Sequence, residues 1–352
     1  MLKRKIYSEM LEWKSGHDKC LLIKGQRQVG KSYIVERFGE NEYESFVKID
    51  FSQDDSLVKL FSDRRVDEMV KAIGLYTGKE IIPGKTLLFL DEIQECPQAY
   101  SALKSFSLDG RYDVIASGSL IGVERKGKKT SADPLIPLGY ETEITMYGLD
   151  FEEFLWAAGV KDDIIDEIKE SIRSRTGMSA FILDRISKLF REYMIAGGMP
   201  ESVQAYVDSG KFSDSERILD DILGTCIRDI NRYNTGIDVL KTSECFESIP
   251  VQLAQSNKKF MYSRIGGGQG RRSADKFSEN LLWIKQAGYG NYCHALKQPV
   301  MLLKANRVED HFKVYLSDTG MLIRMYGGNA SMAVYNGDTS VNMGAVAENA
   351  VA

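Results

Sequence analysis

Residues Gly25–Ser32 read Gly-Gln-Arg-Gln-Val-Gly-Lys-Ser, and few folds accommodate two glycines spaced this way before a lysine and a hydroxyl. Gly25 and Gly30 permit backbone conformations closed to residues with a Cβ, so successive N–H groups can turn inward around an anion. Gln26, Arg27, Gln28 and Val29 supply the amides in between. Lys31 offers a point charge for β- and γ-phosphates, and Ser32 a hydroxyl for Mg2+. The apolar run Cys20–Lys24 ahead of the loop reads as a buried parallel strand. The spacing of large apolar residues over Ser32–Phe38 reads as a helix, with Gly39 as its C-terminal cap and its positive dipole end toward the anion.

Two acids complete the pattern. Thr86-Leu87-Leu88-Phe89-Leu90-Asp91-Glu92 is an apolar strand ending in carboxylates. After such a loop, the first acid holds Mg2+, through water because the ion keeps much of its hydration shell. The second orients or deprotonates the attacking water. Asp91 and Glu92 therefore take these roles, or else they merely cap the helix expected after Pro97. A strand pattern at residues 44–51 separates the loop strand from the acidic one. It favours sheets in which another strand is inserted between those two, where a catalytic Glu is usual. Residues 2–14 and 56–72 read as helices. Asp113–Ala116 is a further strand, and Ser117 at its end would face the ligand crevice as a γ-phosphate sensor, unless Ser117-Gly118-Ser119 is an ordinary turn.

With 352 residues, two or three domains are expected. A net charge of −4 excludes a global affinity for polyanions, so any nucleic-acid contact has to come from a local basic patch. Cys20, Cys96, Cys226, Cys245 and Cys293 lack paired spacing and the three histidines are dispersed. That argues against a zinc site or a disulfide framework and fits a reducing cytoplasm. The basic N-terminus lacks the apolar core of a signal peptide, and no stretch approaches a membrane span.

Several motifs together resemble a widespread prokaryotic family of AAA+-like P-loop ATPases with a C-terminal, winged-helix-containing domain of unknown function. They are Ile23–Ser32, Leu90-Asp91-Glu92-Ile93-Gln94, Ala116–Ser119, Met146–Phe154, Gly197-Gly198-Met199-Pro200-Glu201, Ile227–Ile230, Phe312–Gly320 and Gly344–Asn349. The resemblance implies ATP binding and hydrolysis. It also exposes a departure, because the family often carries a Gly followed by a basic residue, a candidate arginine finger, where this chain has Gly139-Tyr140. The basic segment 124–129 before it is either a substitute or a solvated loop. Such an arginine is worth about 10³–10⁵ in rate where enzymes use one, so its loss points to slow turnover that depends on a partner. The family usually continues beyond Asn349, and Met343–Ala352 reads as a helix cut short, as in a truncated sequence.

The expected fold is α/β: a P-loop NTPase parallel sheet with helices on both faces over residues 1–155, a helical region over 156–236, and a winged helix-turn-helix-like module over 237–352. In the last part, helical patterns at Val239–Ser256 and Arg271–Ala287 precede strand patterns at Tyr289–Ala295 and Phe312–Leu316. Lys258, Lys259, Arg264, Arg271, Arg272 and Lys276 cluster near the start of the recognition-type helix, as phosphate contacts to DNA or as a solvated face beside a protein contact. The functional expectation is an ATPase with Mg2+ acting on DNA, or a slow, nucleotide-gated scaffold contacting proteins. A small-molecule kinase fits less well, because two acids at a strand end suit water activation.

Overall fold

The computed structural model describes residues 2–16, 19–119, 139–267, 274–338 and 341–352. They divide into two compact units, one of residues 4–119 with 139–147, the other of residues 2–3 with 148–352.

The first unit runs α1 (Ile6–Gly16), β1 (Cys20–Lys24), α2 (Lys31–Glu42), β2 (Ser45–Asp50), a 3-10 turn (Asp55–Phe61), α3 (Val66–Thr77), β3 (Thr86–Asp91), α4 (Pro97–Asp109), β4 (Asp113–Gly118) and β5 (Glu141–Thr145). All five strands are parallel, in the order β2-β3-β4-β1-β5. β1, β3 and β4 read as near-continuous apolar runs because both of their faces are covered; Leu21, Leu22, Ile23, Leu88, Phe89, Leu90 and Ile115 are fully buried. The strand inserted between the loop strand and the acidic strand is β4, while the 44–51 segment lies outside β3 at the sheet edge. The carboxyl ends of β1, β4 and β3 consequently stand side by side, where ligands of open α/β sheets bind.

Two helix expectations change. Gly39 lies inside α2 rather than at its end, because a Cβ there would stand 2.2 Å from the Phe46 ring; the glycine lets helix and β2 approach closely. The 56–72 helix is two pieces, the 3-10 turn and α3. Asp63 breaks it by bonding the Arg65 N–H and guanidinium, a local alternative to helical hydrogen bonding.

The second unit contains α5 (Phe151–Ala157), α6 (Asp162–Ser174), α7 (Ala180–Ala196), α8 (Pro200–Ser209), α9 (Phe212–Tyr233), α10 (Ile237–Leu253), a 3-10 turn (Tyr262–Gly267), α11 (Ala274–Gln286), the antiparallel pair β6 (Gly290–Leu296) and β7 (Arg307–Leu316), α12 (Thr319–Tyr326), α13 (Ala330–Asn336) and α14 (Met343–Val351). Three distant motifs meet in its interior. Leu149 N–H donates to Gly198 O at 2.6 Å. Asp318, 5% exposed, caps α12 and accepts N–H groups from Gly198, Met199, Gly320 and Met321. Gly197, Gly198 and Gly320 permit this approach, since a Cβ on any of them would come within 3 Å of a neighbouring motif. α14 docks through Asn349, whose amide bonds both backbone groups of Leu316.

Candidate active site

The Gly25–Ser32 segment leaves β1 and enters α2. A Cβ on Gly25 would stand 2.2 Å from the Met146 carbonyl oxygen, so that close approach requires glycine. Gly30 has φ 90°, and Gln28 adopts φ 66°, a left-handed conformation uncommon outside glycine and frequent at functional sites. The Arg4 guanidinium, buried ahead of α1, bonds Val29 O at 3.2 Å and Tyr147 O at 2.7 Å, pinning the outer side of the loop.

Lys31 is only 6% exposed, and its ammonium donates to the carbonyls of Gly25 (2.9 Å) and Gln26 (2.8 Å) within its own loop. Burial pushes its pKa down to about 8; Glu92 and Asp91 partly oppose the shift, and Arg27 adds to it. Ser32 Oγ donates to Asp91 Oδ1 at 3.0 Å. Ser117 Oγ, at the end of β4, donates to the same oxygen. The first turn of α2 and the end of the inserted strand thus converge on one carboxylate of the acidic strand that is 3% exposed. Glu92 follows in a left-handed conformation (φ 52°), its Oε2 accepting from Ser119 Oγ at 3.1 Å and from the Gln94 amide. Asp91 and Glu92 do not cap α4; Cys96 does.

Three participants escaped sequence reasoning. Lys48 on β2 reaches Asp91 Oδ2 at 2.9 Å and Glu36 Oε1 at 2.8 Å. Burial lowers its pKa, but the bonds to Glu36 and Asp91 outweigh this and leave it raised. Ser119 and Gln94 hold Glu92. The alternation of β2 puts Lys48 and Asp50 on one face, but nothing in the sequence fixes the register, Asp50 opposite Asp91 and Lys48 opposite Phe89, from which the Lys48 side chain reaches Asp91.

Gly139-Tyr140 precedes β5 at the amino ends of the strands. A cation there would lie about 16 Å from the loop at the other end of the sheet, too far to serve its own crevice. Segment 124–129 lies outside the described residues.

The basic set of the second unit is altered. Lys258, its side chain 13% exposed, binds Glu348 at 2.6 Å; Lys313 (2.8 Å) and Tyr315 (3.0 Å) share that carboxylate. Lys258 and Lys313 hold the Glu348 pKa down at about 2. Lys258, one of the six cations expected to contact phosphate, is thereby engaged in an ion pair. Lys259 is half-buried, Arg264 and Lys276 are exposed, and Arg271 and Arg272 lie outside the described residues.

Residues 17–155 match the AAA domain family model. The N-terminal part is an AAA domain. Residues 187–331 match a domain of unknown function (DUF8612), separate from the AAA match. No protein of curated function matches it in sequence. Among solved structures, the Walker-type ATPase PabY2304 of Pyrococcus abyssi is similar at 14% identity and a TM-score of 0.54, over 93% of this chain and 96% of that one. This likeness supports the fold. A STAND signal-transduction ATPase of Pyrococcus horikoshii (12% identity, TM-score 0.33, 100% of this chain and 48% of that one) and AMPPCP-bound DnaA of Aquifex aeolicus (12%, 0.32, 80% and 86%) are more distant. Among the described residues, no helix is long and apolar enough to cross a membrane.

Proposed function

We propose that the crevice beyond β1, β4 and β3 binds ATP with Mg2+ and hydrolyses it, and that hydrolysis resets the C-terminal part of the chain. The observation carrying this reading is the convergence of Ser32 and Ser117 on Asp91 Oδ1, with Glu92 next in sequence. The residues fit the group: a cradle closed to any Cβ at Gly25, and hard oxygen donors from a hydroxyl and a carboxylate. Ser32 and Asp91 would hold the ion, which when bound neutralises charge building on the β- and γ-phosphate oxygens.

The amides of Gln26–Ser32 grip the triphosphate, and the Lys31 ammonium exchanges the Gly25 and Gln26 carbonyls for phosphate oxygens. Glu92 leaves Ser119 and Gln94 to orient a water and take its proton. Ser117, bonded to Asp91 from the neighbouring strand, senses the γ-phosphate. The test is steady-state ATP turnover with Glu92→Gln and Lys31→Ala. Glu92→Gln should bind ATP without turnover and Lys31→Ala should bind weakly; equal retention of ATP and turnover by both would overturn the assignment.

For the C-terminal part, the order α10, 3-10 turn, α11, β6 and β7 supports a winged helix-turn-helix module, and exposed Arg264 and Lys276 support a DNA contact. The second reading, a slow nucleotide-gated scaffold contacting proteins, is favoured by Lys258 being tied to Glu348 and by Glu92 being held at rest. DNA-stimulated turnover that is lost in Arg271→Ala/Arg272→Ala would select the first. We place the protein in the cytoplasm on its five cysteines, all free thiols.

A further inference from the structure

Lys48 belongs to none of the sequence motifs, yet its ammonium binds the carboxylate on which the site is built. Asp91 is saturated from two sides: Oδ1 accepts from Ser32, Ser117 and the Glu92 N–H, while Oδ2 is paired with Lys48 at 2.9 Å. Of the other acids around it, Glu36 shares the same ammonium at 2.8 Å, Glu92 is occupied by Ser119 and Gln94, and Asp50, opposite Asp91 in register, is bonded by Ser52 and Gln53. We propose that Lys48 is the resident counter-ion of Asp91 and makes divalent-cation binding conditional on a bound nucleotide.

Mg2+ gives up its water reluctantly and is bound through one or two carboxylates together with substrate phosphates. An ion arriving alone meets a carboxylate whose Oδ2 is already ion-paired with Lys48, with the Lys31 ammonium also acting on it. An ion arriving on a triphosphate brings its own anionic oxygens and needs only the Ser32 and Asp91 Oδ1 edge. Lys48 also fixes the rotation of the carboxylate, because holding Oδ2 turns Oδ1 toward both hydroxyls. It is a positioning residue, and its role rests on the ATP-site reading.

The test titrates the full-length, nucleotide-free chain with Mn2+, reading the free ion by electron paramagnetic resonance. Wild type should show no saturable binding below about 1 mM, and Lys48→Arg should behave alike. Lys48→Met and Lys48→Gln should each bind Mn2+ at least about tenfold more tightly, and adding Asp91→Asn should return the ion affinity to that of wild type. Sub-millimolar Mn2+ binding by wild type, which requires no variant, would overturn the proposal, as would Lys48→Met and Lys48→Gln values within about twofold of wild type. ATP binding to wild type is measured in parallel. Unchanged Mn2+ affinities in a chain that binds ATP refute the role of Lys48 alone, whereas the predicted Mn2+ changes in a chain that binds no ATP refute the nucleotide reading and support the counter-ion.

Discussion

Nucleotide binding should be accompanied by proton uptake on Lys31. In the nucleotide-free chain burial holds this ammonium at a pKa of about 8, so Lys31 is charged below pH 8 and increasingly neutral above it. A triphosphate requires the cationic form and raises the pKa on binding. At pH 8 about half a proton per chain should be taken up, at pH 9 about nine-tenths, and at pH 7 almost none. Affinity should accordingly weaken about tenfold per pH unit above 8, while the γ-phosphate, with a second pKa near 6, stays ionised throughout. The same shift acts on folding. A lysine depressed from 10.5 to about 8 opposes folding fully below pH 8, by about 3 kcal/mol, and the penalty fades as pH rises toward 10.5. Calorimetric titration in buffers of different ionisation heat measures the uptake directly. The reasoning fails if uptake at pH 9 stays below about 0.2 proton, or if Lys31→Arg, whose guanidinium remains charged, shows the same pH-dependent affinity as wild type.

Gly39→Ala should destabilise the AAA domain by about 1–3 kcal/mol despite alanine's better helix propensity, because the new methyl meets the Phe46 ring; an unchanged or raised Tm would contradict the packing role. Ser119→Ala combined with Gln94→Ala should release Glu92 and raise ATP turnover a few-fold, and a large fall would show instead that these residues hold the water. Asp318→Asn, which replaces one of two accepting oxygens with an amide donor facing backbone N–H groups, should cost about 2–4 kcal/mol in denaturant unfolding of the second unit, and a loss below about 0.5 kcal/mol would refute it.

Local chemistry was legible from the chain. Gly25 to Ser32 and the acids after Leu90 are written in residue types at fixed spacing, and the geometry of each follows from backbone freedom or strand polarity. What the sequence concealed depended on partners in other elements of the fold. Gly39 looks like a cap until Phe46 is placed against it, and Lys48 looks like a solvated strand residue until the register lets its side chain reach Asp91. Lys258 shows the reverse case. A run of cations seems open to phosphate, but Glu348, 90 residues later, had already claimed one of them. The break at Asp63 is hidden in the sequence because a local side-chain bond competes with a helical period that continues on either side of it.

The knot around Gly198 is made largely of main chain, with a single buried carboxylate as its fastener. Side chains can change rotamer and soak up small displacements, but peptide groups in direct hydrogen-bonded contact have no such slack. Leu149 is tied by main chain to the turn before α8, and that turn is tied through the Asp318 carboxylate to the head of α12. In mechanical terms this part of the protein is a short linkage of one main-chain bond and one buried carboxylate, joining stretches as remote in sequence as residues 149, 198 and 318.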